Sequence, residues 1–209
     1  MGDTKSSIRA LAAKLRDSLS AAQVEQQSRL IQDRALQSSF YREASAIALY
    51  SATGNEVATE AIGRDAVSRR KRIYFPRLTA DAGLQWVASS DANAFHPGRY
   101  GILEPTGSDL LDADDADGLV VFVPGVAFDA YGNRLGRGQG WYDRALATLH
   151  DRAVTVALAY EFQIMDRIPA EPWDRPVQHI VTEGRTIDCR EFASTSGRVP
   201  ESLSMKRGY

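Results

Sequence analysis

The chain has 209 residues with 25 basic and 27 acidic side chains, a formal charge of −2, so no global field draws it to nucleic acid or to an anionic membrane, and any anion must be held by local groups. Hydrophobic residues make up 44%, enough to fill one core, and the single cysteine, Cys189, excludes an internal disulfide and a thiolate zinc site and points to a reducing compartment. No apolar run approaches the ~20 residues of a membrane helix, and "MGDTKSSIRALAAKLRDSL" lacks the apolar block of a secretory signal, so a soluble cytoplasmic protein is expected.

From the amino terminus, Ile8, Leu11, Leu15 and Leu19 recur at helical spacing, with Asp3 or Thr4 placed to cap the helix. Ser20 and Gln23 form a capping-box pattern ahead of a second helix carrying Val24, Leu30, Ile31 and Leu36. "AIALYS" has strand length, "EVATEAIGRDAVSRR" reads as a helix, and "RIYFPRL" as a strand closed by Pro76. "LQWVAS" alternates like a strand with one wet face, and the Pro and Gly residues of "DANAFHPGRYGILEP" mark a loop. An acidic stretch from Asp109 to Asp117 reads as a solvated approach to the apolar strand "LVVFVP", rather than as a metal site. Beyond a glycine-rich loop, 141–149 resumes helical spacing, "VTVALAY" and "VQHIVTE" are strands, and His96, His150 and His179 show no paired metal spacing and read as structural or surface residues. Strands apolar on both faces, alternating with helices, predict a single α/β domain: a three-layer, open, mostly parallel sheet with helices on both faces. The domain is expected over 1–189, and the Ser/Gly/Arg-rich 190–209 as a mobile tail.

The chemistry gathers in "GNRLGRGQGWYDRAL". In an α/β sheet ligands bind at the carboxyl ends of the strands, and this stretch follows such an end. Gly132, Gly136, Gly138 and Gly140 permit close approach of backbone N–H groups to an anion, and a helix amino terminus follows directly. Arg134, Arg137 and Arg144 add guanidinium groups suited to phosphate oxygens. The combination reads as a phosphate cradle, although it matches neither the Walker nor the Rossmann fingerprint and an exposed glycine-rich turn looks much the same. Spacing alone favours a helix-dipole role for Asp143; its place beside a phosphate loop offers Mg²⁺ binding as the other reading, with Asp174 in "PAEPWDRP" a candidate second carboxylate that spacing does not single out.

"VPGVAFDAYGNRLGRGQGWYDRAL" resembles the signature of the 5-formyltetrahydrofolate cyclo-ligase family, also called methenyltetrahydrofolate synthetases. "KSSIR", "NEVATEAI", "GILEP", "IPAEPWD" and "IVTEG" resemble further family segments in the expected order, spanning nearly all the chain except its last twenty or so residues. The resemblance implies an enzyme that cyclises 5-formyltetrahydrofolate to 5,10-methenyltetrahydrofolate with ATP and Mg²⁺, releasing ADP and phosphate, and needs no obligate protein partner, acting as a monomer. It implies ATP contacts from Lys5, Arg9, Arg134, Leu135, Gly136, Arg137, Gly138, Gln139, Gly140, Trp141 and Tyr142. Of these, Arg137, Gly138, Gln139, Gly140 and Trp141 also border the folate, which Glu56 binds. Arg134 and Arg137 are implied as the catalytic cations, and Asp143 and Asp174 as the magnesium carboxylates. Glu104 of "GILEP" either lines the same cleft or serves a structural turn. Two departures stand out: Trp141 replaces a tyrosine, and Gln139 stands where Gly or Lys is usual. The competing expectations are a non-catalytic folate or nucleotide sensor on the same fold, and phosphoryl transfer to another small substrate.

Overall fold

The structure is a computed structural model and describes residues 4–196 apart from 82, 92, 93 and 150; of residues 193–196 only the backbone is described. In chain order the elements are helices α1 (Lys5–Asp17), α2 (Ala21–Gln37) and α3 (Ser39–Glu43), strand β1 (Ala46–Ala48), helix α4 (Glu60–Ser68), and strands β2 (Arg72–Leu78) and β3 (Leu84–Ala88). There follow β4 (Phe95–Pro97), β5 (Leu103–Pro105), β6 (Leu119–Val123), β7 (Ala127–Asp129) and β8 (Arg134–Leu135), then helix α5 (Trp141–Ala147). The chain continues through β9 (Val154–Leu158), β10 (Ile164–Met165), β11 (His179–Val181), β12 (Thr186–Asp188) and helix α6 (Cys189–Ser196).

Seven strands form one sheet in the order β12-β11-β9-β6-β1-β2-β3, with β11, β9, β6, β1 and β2 parallel and only the two edge strands antiparallel. The strands are apolar throughout because both faces are covered. In β6, Val120 and Phe122 face a core shared with Ile31 of α2, Tyr41 of α3 and Ile62 of α4, while Leu119, Val121 and Val123 face Ala145 and Leu146 of α5. This is the expected three-layer α/β architecture. The chain leaves β1 through α4 toward β2 on one side, and β6, β9 and β11 build outward on the other, so the order reverses between β1 and β6 and leaves a crevice beyond their carboxyl ends.

Capping follows the expected chemistry at the first two helices. Thr4 caps α1, and Ser20 with Gln23 closes a complete capping box on α2. The helix expected over 56–70 begins only at Glu60, and its first N–H groups are met from another helix: Gln32 Oε1 accepts from Ala61 N at 2.8 Å. Of the expected apolar stripe on α1, only Ile8 is buried; Leu11 and Leu15 are exposed because α1 lies on a small secondary sheet instead of the main one. That sheet, β10-β7-β8, contributes Val126, Ala127 and Leu135 to a core with Ile8, Ala12 and Ile168.

Several sequence expectations are corrected. Pro76 does not close β2, which runs on to Leu78. Ile73 C=O accepts from Ser89 N on the β3 side and Tyr74 C=O from Leu49 N on the β1 side, so Pro76 faces a flank where β1 has already ended and its missing N–H costs no ladder bond. The stretch expected as a loop forms the β4-β5 hairpin. The helix after the glycine loop ends at Ala147, and residues 190–196, expected within the tail, belong to α6; residues 197–209 and His150 lie outside the described residues. Gly132 is not in the cradle. It turns the β7-β8 hairpin at φ +86°, where a Cβ would overlap the Val177 carbonyl oxygen. The buried Asp129 holds that hairpin, accepting at Oδ1 from Tyr131 N and Asn133 N and at Oδ2 from Asn133 Nδ2 and Ile168 N.

His96 is exposed on β4, whereas His179 is buried on β11, stacked on Phe40 with ring centroids 5.0 Å apart. Burial lowers its pKa, against the attraction of Asp188 and with the help of Arg190. A folded pKa below the ordinary ~6.5 means that the unfolded chain binds the extra proton first, so stability falls as pH drops through that window. The free energy of urea unfolding should decline by up to ~1.4 kcal/mol per pH unit below about pH 6.5, and His179→Gln should flatten the decline.

Candidate active site

A cavity of ≈ 350 Å³ opens beyond β1 and β6, floored by Tyr50 and Ser51 after β1 and by Pro124 and Gly125 after β6. It gathers every side chain singled out in the sequence for ATP, folate or metal: Lys5 and Arg9 from one face of α1, Glu56, all of 134–143, and Asp174. Arg144 does not line it; its Nη1 donates to Gln139 C=O at 3.1 Å and braces the loop from behind.

One end of the cavity is built from opposed charges. Arg134 emerges from β8 with its side chain 4% exposed, and its Nη2 donates to Asp143 Oδ1 at 2.7 Å from the first turn of α5. The guanidinium also lies over the Tyr142 ring, 5.7 Å from its centroid, while its Nε is sealed from solvent without a partner. Between the two, Gly138 at φ +97° and Gly140 at φ +65° let the loop fold tightly, and Arg9 Nε donates to Gly136 C=O at 2.9 Å, which ties α1 to the loop.

Lys5 bridges Glu171 and Asp174, each at 2.9 Å. Burial opposes the charges of Lys5 and Asp174, yet their mutual hydrogen bond prevails, so the lysine pKa is raised and the carboxyl pKa lowered. The backbone N–H of Arg175 reaches Asp143 Oδ1 at 3.1 Å, bringing the Asp174 loop to the same end as Asp143. Asp143 Oδ2 and Asp174 Oδ1 make no hydrogen bond among the described residues, where no group of three or more His, Cys, Asp or Glu is placed to hold a metal. Two hard carboxylates with free oxygens fit a Mg²⁺ ion that takes its other ligands from phosphate and water, not a closed protein cage.

Glu56 marks the middle of the cavity. Its Oε1 accepts from Arg137 Nη2 at 2.9 Å and lies 3.7 Å from Arg16 Nη1, and its Oε2 accepts from Thr53 N at 3.0 Å. Arg137 therefore pairs with a buried acidic side chain while its own side chain stays half exposed. The far end is apolar, walled by Pro76 and Leu78 of β2, Leu84 of β3, and Trp141, whose ring centroid lies 5.6 Å from that of Tyr100. Burial holds the Tyr50 and Tyr142 hydroxyls well above their ordinary pKa, so both are neutral donors.

Tyr50, Tyr100, Arg16, Glu171 and Trp173 were not singled out in the sequence. Trp173 is 67% exposed at the cavity edge, and an aromatic beside an aspartate in a proline-bounded loop was a readable signal for it. Tyr100, at φ +60° in a 3-10 turn, carried no such signal. Lys5→Met should lower the free energy of urea unfolding by less than ~1 kcal/mol, since the pair is partly solvated, while speeding amide exchange over residues 5–12, where α1 docks mainly through Ile8 and Ala12.

A model of the 5-formyltetrahydrofolate cyclo-ligase family matches residues 1–183. The 5-formyltetrahydrofolate cyclo-ligase of Haemophilus influenzae is 32% identical over 179 residues, covering 83% of this chain and 95% of its own. The mouse protein of the same name is 29% identical over 84% of this chain and 93% of its own. Among solved structures, the 5,10-methenyltetrahydrofolate synthetase of Aquifex aeolicus superposes with a TM-score of 0.78 at 28% identity, covering 97% of this chain and 98% of that one. The Mycoplasma pneumoniae synthetase, at 22% identity and a TM-score of 0.69 over 86% of this chain and 98% of its own, shares the fold. With a cavity at the strand-order reversal that collects the signature residues, and a family match over nearly the whole described chain, the protein belongs to the 5-formyltetrahydrofolate cyclo-ligase family.

Proposed function

We propose that this protein converts 5-formyltetrahydrofolate and ATP to 5,10-methenyltetrahydrofolate, ADP and phosphate. The observation that carries the assignment is the division of one cavity into a charged end on Lys5, Arg134, Asp143 and Asp174 and an apolar end on Pro76, Leu78, Leu84 and Trp141, with Glu56 and Arg137 between. A nucleotide polyphosphate suits the first and a reduced pterin the second.

The N5-formyl group is amide-like, and expelling its oxygen as hydroxide is slow. The formyl oxygen attacks the γ-phosphorus, ADP leaves, and the oxygen is now a phosphate ester on a carbon double-bonded to N5. N10 then attacks that carbon, the C–O bond breaks with the electrons going to phosphate, and N10 gives up its proton. Such transfers depend on positioning and charge neutralisation more than on covalent chemistry by the protein. Lys5 and Arg9 hold the polyphosphate from α1, the 136–140 loop supplies backbone N–H groups, and Arg134 and Arg137 face the oxygens that gain charge. Mg²⁺, held by Asp143 and Asp174, would supply neutralisation of the phosphate oxygens. Each of these carboxylates is paired here with a cation of the same site, Arg134 or Lys5, so the pairs can exchange partners when a polyanion enters without leaving any charge uncompensated. Glu56 holds the folate, with Arg16 available as its counterion when Arg137 turns to phosphate.

The enzyme acts without an obligate protein partner, and the lone cysteine, free and buried, supports a cytoplasmic setting. No described helix is long and apolar enough to cross a membrane.

The test is absorbance detection of methenyltetrahydrofolate from purified protein, 5-formyltetrahydrofolate, ATP and Mg²⁺, omitting each in turn; product without ATP, or none from folded protein, would sink the assignment. Asp143→Asn, which keeps an oxygen for Arg134 and the Arg175 N–H, should cut turnover about a hundredfold and raise the Mg²⁺ needed for half-maximal rate. Asp143→Ala should in addition cost about 2–3 kcal/mol of stability by stranding the buried Arg134. An unchanged Mg²⁺ dependence in Asp143→Asn would remove the metal role.

A further inference from the structure

Glu56, Asp143, Glu171 and Asp174 of the cavity are each paired with a cation, but one acid in the same cavity is not. Glu104 on β5 is 6% exposed and lines the cavity, its Oε1 is shut off from solvent, and it has no hydrogen-bond or ion-pair partner among the described residues. A buried carboxylate without a donor is costly, and a native chain retains one where something else supplies the donor. The local backbone is shaped to keep it there. Glu104 stands opposite His96 in the β4-β5 hairpin, and the turn closing that hairpin passes so close that a Cβ on Gly98 would overlap the carboxyl group. The hairpin is itself held over the crevice, with Ser51 Oγ donating to Leu103 C=O at 2.7 Å beyond the end of β1.

The chemistry of a fitting partner follows from the surroundings. No Lys, Arg or His nitrogen lies within ion-pair distance among the described residues, so the carboxylate is open to a donor brought by a ligand. The neighbouring wall is apolar, with Ile102 two residues before Glu104, ahead of β5, and Tyr100 against Trp141. A planar heterocycle with N–H groups on one edge fits both features, because a carboxylate accepts such bonds at the oxygen that is not sealed against the Gly98 turn.

We infer that Glu104 is a specificity-determining contact of the folate end, accepting hydrogen bonds from the 2-amino and N3–H edge of the reduced pterin ring. The inference rests on the cyclo-ligase reading. It separates the duties of the two buried acids: Glu56, already neutralised by Arg137 and Arg16, sits where nucleotide and folate meet, whereas Glu104 reads the end of the ring away from the phosphates.

The experiment compares wild type, Glu104→Gln and Glu104→Ala in the methenyltetrahydrofolate assay, with ATP binding by calorimetry and thermal unfolding alongside. The expected result is a rise of about ten- to a hundredfold in KM for 5-formyltetrahydrofolate in both variants, with kcat at saturating folate and ATP affinity unchanged. Because an unpaired buried charge is removed, the thermal midpoint should hold or rise. An analogue lacking the 2-amino group should bind wild type about as weakly as the true substrate binds Glu104→Ala, and Glu104→Ala should no longer distinguish the two. An unchanged KM, or discrimination retained by Glu104→Ala, overturns the inference. So does a fall in kcat with KM unchanged, which would make Glu104 a base toward N10–H, or a lowered thermal midpoint with lost ATP binding, which would make it structural. Wild type that binds 5-formyltetrahydrofolate but does not turn it over would defeat the cyclo-ligase reading alone, and folate binding by the same three proteins would still decide the role of Glu104.

Discussion

The site depends first on a guanidinium held inside the wall of the cavity. Arg134 has almost no access to water, and its charge is met there by Asp143 at 2.7 Å, with the Tyr142 ring beneath it. The pair joins β8 of the secondary sheet to α5 of the main one, so the 136–140 segment is a closed span between two anchored ends instead of a free loop. Glycine is required where that span bends back at positive φ, at Gly138 and Gly140, and the backbone of Gly136 is tied to α1 by Arg9. A cradle built this way is preorganised: its donors need little further ordering when a ligand arrives.

Around that anchor the charges are arranged as exchangeable pairs. Lys5 with Asp174, Arg134 with Asp143 and Arg137 with Glu56 each place a cation on an acid, and on the proposed function each cation serves phosphate and each acid has a second use. Where the charges are buried, as at Arg134, an unpaired ion would be expensive, and mutual pairing keeps the site near neutrality. On the proposed function it would also link the two ligands, since Arg137 contacts Glu56 and stands on the glycine loop. Glu104 breaks the pattern, having no cation partner among the described residues.

The tertiary arrangement follows from ordinary sheet rules. Strand order reverses between β1 and β6, and the crevice there receives the ends of strands distant in sequence along with two insertions, the β4-β5 hairpin and the β7-β8 hairpin. One insertion brings Tyr100 and Glu104 and the other brings Arg134, so the large sheet acts as a support and the specificity sits on short elements grafted to its edge.

Much was legible before any fold was known. Apolar runs such as "LVVFVP" determined buried parallel strands because both their faces must be covered, and the Ser20–Gln23 box determined a helix start because its hydrogen bonds are local. The long signature determined the family and thereby gathered Lys5, Glu56, 134–143 and Asp174 into one expectation, which the cavity brings together. Local pattern could not tell that Leu11 and Leu15 stay exposed, that Gly132 serves a remote hairpin turn, or that Pro76 lies within a strand, because each depends on which neighbour ends where. Nor could it pair Lys5 with Asp174 or leave Glu104 without a partner, since those states are set by groups distant in sequence. Local bonding is written in the order of the residues; the pairing of charges across the cavity, and the one acid left unpaired, were decided only when the chain closed on itself.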